Sequence, residues 1–481
     1  MPERRTLLWT GVLAALFIAV NSFLTAKGTF ILNAVPAVIG IILLAFIRLD
    51  LLFMVVVFFV PISLQLDYLM PGLPFNLYLP SEPLIIGIMF LFFLRVLIER
   101  KPNRGAMNHP VSYAIWFYLA WMLLTSVTST MPLVSFKMLL SRIWFIAVFY
   151  YLAIRLFAEE KNYYRFFWLY LLSFSLIICY TLARHAMHGF TQMSSNTMPK
   201  PFFADHTSYG AILALLLPVL LGMMALRKSF LPGRTWMNWI LLALMLTGML
   251  FSYTRAAWLS TAVAFVFFVI ILLRIRFTTL VVAGSVLFLL LFSYRSELYM
   301  QLERNHTASS KDFSAHLKSS ANIANDPSNL ERINRWHCAL RMFEERPVFG
   351  FGPGTYQFQY APYQISSEKT IISTDFGNRG NAHSEYLGPL SESGVPGMLS
   401  FILIIIAVSI TALRVYRNAP TRTVKILSLV MLLSLITYWT HGILNDFLDT
   451  DKASVLFWGF TAVIVSLDLQ YGERPAEEGG K

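Results

Sequence analysis

Long apolar runs recur along almost the whole chain, each close to the roughly 20 residues that an α-helix needs to cross a hydrocarbon core. They lie near residues 7–26, 31–47, 50–66, 82–98, 111–129, 137–155, 166–184, 207–226, 237–252, 256–273, 277–293, 395–413, 425–443 and 453–469, about fourteen in all. In lipid every backbone N–H and C=O must be satisfied internally, which leaves helices or a closed barrel. Runs this long and this uniformly apolar read as helices. The expected fold is therefore an all-α polytopic membrane protein. Charged residues make up only 13% of the chain, where a soluble domain carries about 25%.

The formal charge of +12 points to membrane topology rather than to nucleic acid, because the basic residues are dispersed between apolar runs and form no basic face. Every second connection is rich in Lys and Arg: Arg95, Arg100, Lys101 and Arg104, then Arg155, Lys161 and Arg165, then Arg227, Lys228 and Arg234, then Arg274 and Arg276, and last Arg414, Arg417, Arg422 and Lys425. By the positive-inside rule these face the cytoplasm, with both termini, and connections 67–81, 185–206, 294–394 and 444–452 face outward. The first segment, after Arg4 and Arg5, lacks a clear cleavage site and reads as a retained helix. Cys179 and Cys338 form no framework, and neither sits in a CxxC pair.

This divides the chain into an N-terminal bundle of about eleven spans (1–293), an outer loop (294–394), about three C-terminal spans (395–470) and a solvated tail (471–481). The outer loop holds the densest set of reactive groups: Arg332, Arg335, His337, Arg341, His383, Glu385 and Glu392. Apolar Ile333, Trp336, Ala339, Leu340 and Phe343 recur at helical spacing over 331–345, and Pro347 stops that helix. The preceding NHTASSKDFSAHLKSSANIANDPSN is polar and reads as irregular.

Several cations sit where the topology disfavours them, namely Lys137, Arg142, Arg184 and Arg255 at outer helix ends. One reading is snorkelling to headgroups. The other is an outward-facing pocket for an anion, and the planar fork of arginine suits a phosphate. GFGPGTY at 350–356 lacks the GK[ST] of a P-loop. It is either a tight turn needing positive φ or a set of amides approaching a phosphate. His383 is either a structural histidine or a neutral imidazole able to take a proton from a sugar hydroxyl. His383 and Glu385 diverge on a helix, and Asp446, Asp449 and Asp451 have poor ligand spacing, so no metal is expected.

R-x-x-x-W-x-x-A-x-x-M, continuing to RPVFGFGPGTY and AHSEYLGPLSESGVPG, resembles the signature of the O-antigen ligase and polymerase superfamily. The residues are Arg332, Trp336, Ala339, Met342, Pro347, Gly350, Gly352, Gly354, His383, Glu392, Gly394 and Gly397. SYTRAA, with Arg255, is similar to the family's outer helix junction. PFFADHTSYGA departs from the family's Asn-Pro pattern at Asp205-His206-Thr207, so no role is carried onto those residues. The resemblance implies a GT-C-like membrane glycosyltransferase of the bacterial inner membrane, with its active site on the periplasmic side and no cofactor or nucleotide sugar. Its donor would be a glycan on undecaprenyl diphosphate. Its acceptor would be lipid A core, another glycan or a protein hydroxyl, giving an O-antigen ligase, a chain polymerase or a protein O-oligosaccharyltransferase, with ligase preferred. His383 would be the base. Arg255, Arg332, Arg335 and Arg142 would hold the diphosphate, with Glu392, Trp336, Gly352 and Gly354 in support. A transporter of lipid-linked sugars would instead need charges in mid-span and repeated halves, and the sequence has neither.

Overall fold

Apolar periodicity becomes helix nearly everywhere in the computed structural model, which describes residues 2–28, 31–69, 77–100, 103–276, 278, 279, 293, 327–370, 373, 374 and 380–472. In chain order the long helices are α1 (Pro2–Ala26), α2 (Val35–Ile47), α3 (Leu49–Phe59), α4 (Ser81–Glu99), α5 (Pro110–Val127), α6 (Pro132–Leu156), α7 (Glu160–Met187), α8 (His206–Ala225), α9 (Trp236–Phe251), α10 (Arg255–Leu272), α11 (Pro327–Glu345), α12 (Leu387–Asn418), α13 (Arg422–His441) and α14 (Asp451–Tyr471). Ten of them are long and apolar enough to cross a membrane, while α2, α3 and α9 are apolar but shorter.

The expected span 277–293 lies almost wholly outside the described residues, as do 294–326 of the outer loop and the tail beyond 472. Among the expected spans, two differ most in their bounds. The one at 50–66 stops at Phe59, because Pro61 cannot continue a helix; Leu64–Gln65 then pairs antiparallel with Tyr78–Leu79. The one at 395–413 begins earlier, at Leu387, and breaks at Gly394, whose φ of 68° and ψ of −169° are not helical.

The core is built around α8, α13 and α14, whose apolar windows are 83%, 78% and 89% buried, whereas that of α1 is 0% buried. Small residues bring the helices close: a Cβ on Gly222 of α8 would lie 2.6 Å from Val430 of α13, and one on Gly210 would lie 2.7 Å from Thr254. Buried ion clusters pin α14 at both ends. At its start Asp451 accepts from Ser63 (2.6 Å) and from Ser81, and the Lys452 ammonium donates to the Ser63 hydroxyl at 2.7 Å. At its end Asp468 meets His109 at 2.9 Å and the Arg414 guanidinium. Arg155 meets Glu99 at 2.7 Å. Connections from the basic set thus meet across one end of the bundle.

Candidate active site

The glycine-rich turn and the start of α12 are two halves of one structure. Phe351 and Gly352 donate their amides to the carbonyls of Ser391 (3.2 Å) and Glu392 (2.7 Å), and Val395 donates to Pro347 at 2.9 Å. Such a close approach leaves no room for side chains. A Cβ on Gly350 would lie 2.3 Å from the backbone of Glu392, and one on Gly394 would lie 2.1 Å from the Val348 carbonyl. Gly350, Gly352, Gly354 and Gly394 all have positive φ, which glycine adopts without a steric penalty. The Glu392 carboxylate closes the turn by accepting the Gly354 and Tyr356 amides. The amides of Phe351, Gly352, Gly354, Thr355 and Tyr356 therefore all donate within the protein. Of the two readings open for this motif, the tight turn is the one present.

Helix α11 lies on this unit and buries Cys338, Ala339 and Met342 together with Phe351, Tyr356 and Tyr360. Its start, at Pro327, precedes the expected residue 331. Arg335 is 4% exposed. It donates to Glu331 at 2.7 Å, lies 4.0 Å above the Tyr360 ring and packs under Gly380, where a Cβ would strike the guanidinium. Trp336 is half-buried, and its indole nitrogen has no partner among the described residues.

A cavity of about 930 Å³ opens between this unit and the helices. Its wall is built from 65–68, α5, α6, 200–205, 353–357, 380–400 and 446–449, so the loop alone does not enclose it. His383, Arg142, Glu392 and Gly354 line it, together with Lys200, Asp205, Glu385, Asp446 and Asp449; Arg255, Arg332, Arg335, Trp336 and Gly352 do not.

His383 precedes α12 in a left-handed conformation, φ 48°, rather than on a helix face. A non-glycine residue held there costs about 1–3 kcal/mol and persists only where its surroundings impose it. Its ring makes no hydrogen bond among the described residues, although its amide donates to Asn381 at 3.3 Å. Burial, then Arg332 and Arg335, hold its pKa down to about 4, with Asp205 and Glu331 opposing them. The imidazole is therefore neutral and able to accept a proton at physiological pH. Arg332 and Arg335 act on His383 electrostatically without lining the cavity.

Arg142 has a different situation. Its side chain is 6% exposed, and its terminal nitrogens donate to the Leu448 carbonyl and, at 2.6 Å, to Asp449. Glu385 completes that wall: one carboxylate oxygen accepts from Tyr438 and from the Phe447 (2.8 Å) and Leu448 (2.9 Å) amides. Burial raises the Glu385 pKa. Burial and the carboxylates Glu385, Asp449 and Glu392 hold Asp446 well above the usual range. One terminal nitrogen of Arg184 donates to the Met198 carbonyl at 3.0 Å and to that of Lys200. Arg255 is the first residue of α10 and half-buried, beside Thr254, whose hydroxyl donates to the His206 carbonyl at 2.8 Å. Among the described residues no three His, Cys, Asp or Glu side chains are grouped to hold a metal ion.

Residues 240–402 match the family described as O-antigen ligase. Over those residues the chain is similar to O-antigen ligases. That segment contains every candidate site residue except Arg142, and the family is one of glycosyltransferase-like enzymes. An uncharacterized protein of Haemophilus influenzae is 25% identical over 160 residues, which are 33% of this chain and 38% of the relative. The likeness thus spans well under half of either protein. The matched residues include α10, α11, the glycine turn, His383 and the start of α12; the walls from 65–68, α5, α6, 200–205 and 446–449 come from outside them.

Proposed function

We propose that this protein transfers a glycan from undecaprenyl diphosphate to an acceptor hydroxyl at the periplasmic face of the bacterial inner membrane, as an O-antigen ligase. The observation that carries the reading is a neutral imidazole, His383, in a large cavity within electrostatic reach of Arg332 and Arg335. The acceptor O–H gives its proton to His383, and its oxygen attacks the anomeric carbon in line. The bond from that carbon to the diphosphate breaks, and its electron pair leaves with the phosphate. The outcome is inversion, with no metal assigned to any step.

Arg332, Arg335 and Arg255 favour the departing diphosphate through their positive charge, although none of them lines the cavity. Arg142 is assigned to holding the wall, because its terminal nitrogens are already engaged. Bound diphosphate would offset the arginine charge and lift the His383 pKa from about 4 toward neutrality, where a general base works best. The periplasmic placement rests on the basic connections at the other end of the bundle.

Purified protein in detergent, with lipid-linked glycan and no compartments, should consume donor and release undecaprenyl diphosphate. A transporter would leave the donor intact. Lipopolysaccharide gels and glycoprotein stains of cells with and without the protein separate ligase, polymerase and protein-transfer products. Lengthened glycan on the lipid carrier would replace the ligase reading with the polymerase.

A further inference from the structure

Several carboxylates in the cavity have no part in the reaction as written, and one of them stands near His383. Asp205 caps α8 and lines the cavity with His383. Its Oδ1 accepts the Ser208 amide and the Thr207 hydroxyl, both at 2.8 Å, which fastens the side chain to the first turn. The ground around it is equally fixed. Arg184 and Tyr180 hold the loop before it through the Lys200 carbonyl, and Thr254 holds the carbonyl after it. Its Oδ2 makes no hydrogen bond among the described residues.

The charged groups that act most strongly on the His383 ring are Arg332, Arg335 and Glu331 of α11 and Asp205 at the head of α8; Lys200, Glu385, Glu392, Asp446 and Asp449 line the same cavity. His206 and His441 lie within reach of the same Arg332 and Asp205. Glu331 is already engaged by Arg335, Thr370 and Ser373. Asp205 is then the carboxylate near His383 with an oxygen to spare, on a mount that does not yield.

We propose that Asp205 is a positioning residue for the transfer, steadying the positive charge that His383 acquires when it takes the acceptor's proton. This rests on the proposed function. In that step the acceptor O–H breaks, the new glycosidic C–O bond forms, and the anomeric bond to the diphosphate breaks with its electron pair. The imidazole meanwhile passes from neutral to +1 beside two arginines. A fixed negative charge lowers the energy of that state more than of the ground state, which is what accelerates a reaction.

Asp205→Asn tests this cleanly, because asparagine caps a helix as well as aspartate does; the fold is kept and only the charge goes. Transfer by the full-length protein should show kcat lowered by about 10- to 100-fold and an unchanged KM for donor. The acid limb of kcat/KM should move to lower pH, since the imidazole loses its anionic neighbour. Asp205→Ala, which also removes the cap, should add a fall in melting temperature that Asp205→Asn lacks. His383→Ala is run in parallel. If it is inactive while Asp205→Asn keeps wild-type kcat and acid limb, this proposal is overturned and the reading of His383 stands. If Asp205→Asn raises donor KM and leaves kcat alone, Asp205 binds donor and the proposal is again overturned. Full transfer by His383→Ala removes both.

Discussion

The two sides of the cavity handle charge in opposite ways. On one, Arg142 through its terminal nitrogens meets Asp449 and the Leu448 carbonyl, and Glu385 meets Tyr438 and the Phe447 amide, so both pin the 442–450 connection. On the other, the His383 ring and the Asp205 Oδ2 have no hydrogen-bond partner among the described residues, and Arg335 keeps one terminal nitrogen without one. Removing a residue from the first side leaves a buried charge or amide uncompensated, so stability suffers. Removing the His383 side chain from the second, where its ring has no hydrogen-bond partner among the described residues, leaves the fold almost as it was, so chemistry suffers. A charged residue at a membrane surface is thus read by what already holds it, not by its depth alone.

The largest effect expected is on the open side. His383→Ala should lower transfer by about 10²- to 10⁴-fold, the usual range for a general base, with an unchanged melting temperature in detergent. An equal loss of both would erase the distinction. Asp449→Ala should do the reverse, because it strips the counter-charge from buried Arg142; with the Asp449 side chain 53% exposed and screened by solvent, the expected loss of stability is about 1 kcal/mol. Thermal melts combined with activity per folded molecule measure it. Gly350→Ala should cost at least about 1–3 kcal/mol through its positive φ alone, and overlap with Glu392 adds to that. A melting temperature equal to the parent's would contradict the backbone-to-backbone contact.

The smallest effect sharpens the electrostatics. With the His383 pKa at about 4, the base form dominates above that pH. The kcat/KM for transfer should therefore hold down to about pH 5 and fall below pH 4. Arg335→Gln removes a positive charge near the ring, so its acid limb should move up in pH. Movement downward would mean that Arg335 does not act on His383.

The helices were legible because lipid demands long apolar runs, and α11 because its apolar residues keep helical spacing. The paired motif was legible because glycine is forced wherever two backbones touch, as at Gly350 and Gly394. The ion pairs were not. Asp449 lies 307 residues from Arg142, so a search for acids in neighbouring segments finds no partner for that arginine. Separations of 388 and 359 residues likewise hide Asp451 from Ser63 and Asp468 from His109. Asp205 was passed over because its segment departs from the family pattern, and only the folded chain brings it to the cavity of His383. The left-handed backbone of His383 left no trace at all, since histidine has no special need of it.

The interlocked backbones at Gly350 and Gly394 bear on how this molecule can be handled at the bench. Both glycines lie inside 294–394, yet the unit continues into α12, whose Val395 amide donates to the Pro347 carbonyl, so cutting the outer segment free would sever that bond. A secreted surrogate of residues 294–394 would carry the imidazole but lack Arg142, Asp205 and Asp449, three pieces of its wall. Inhibitor screening and antibody selection call for the intact protein in nanodiscs, where the whole vestibule exists.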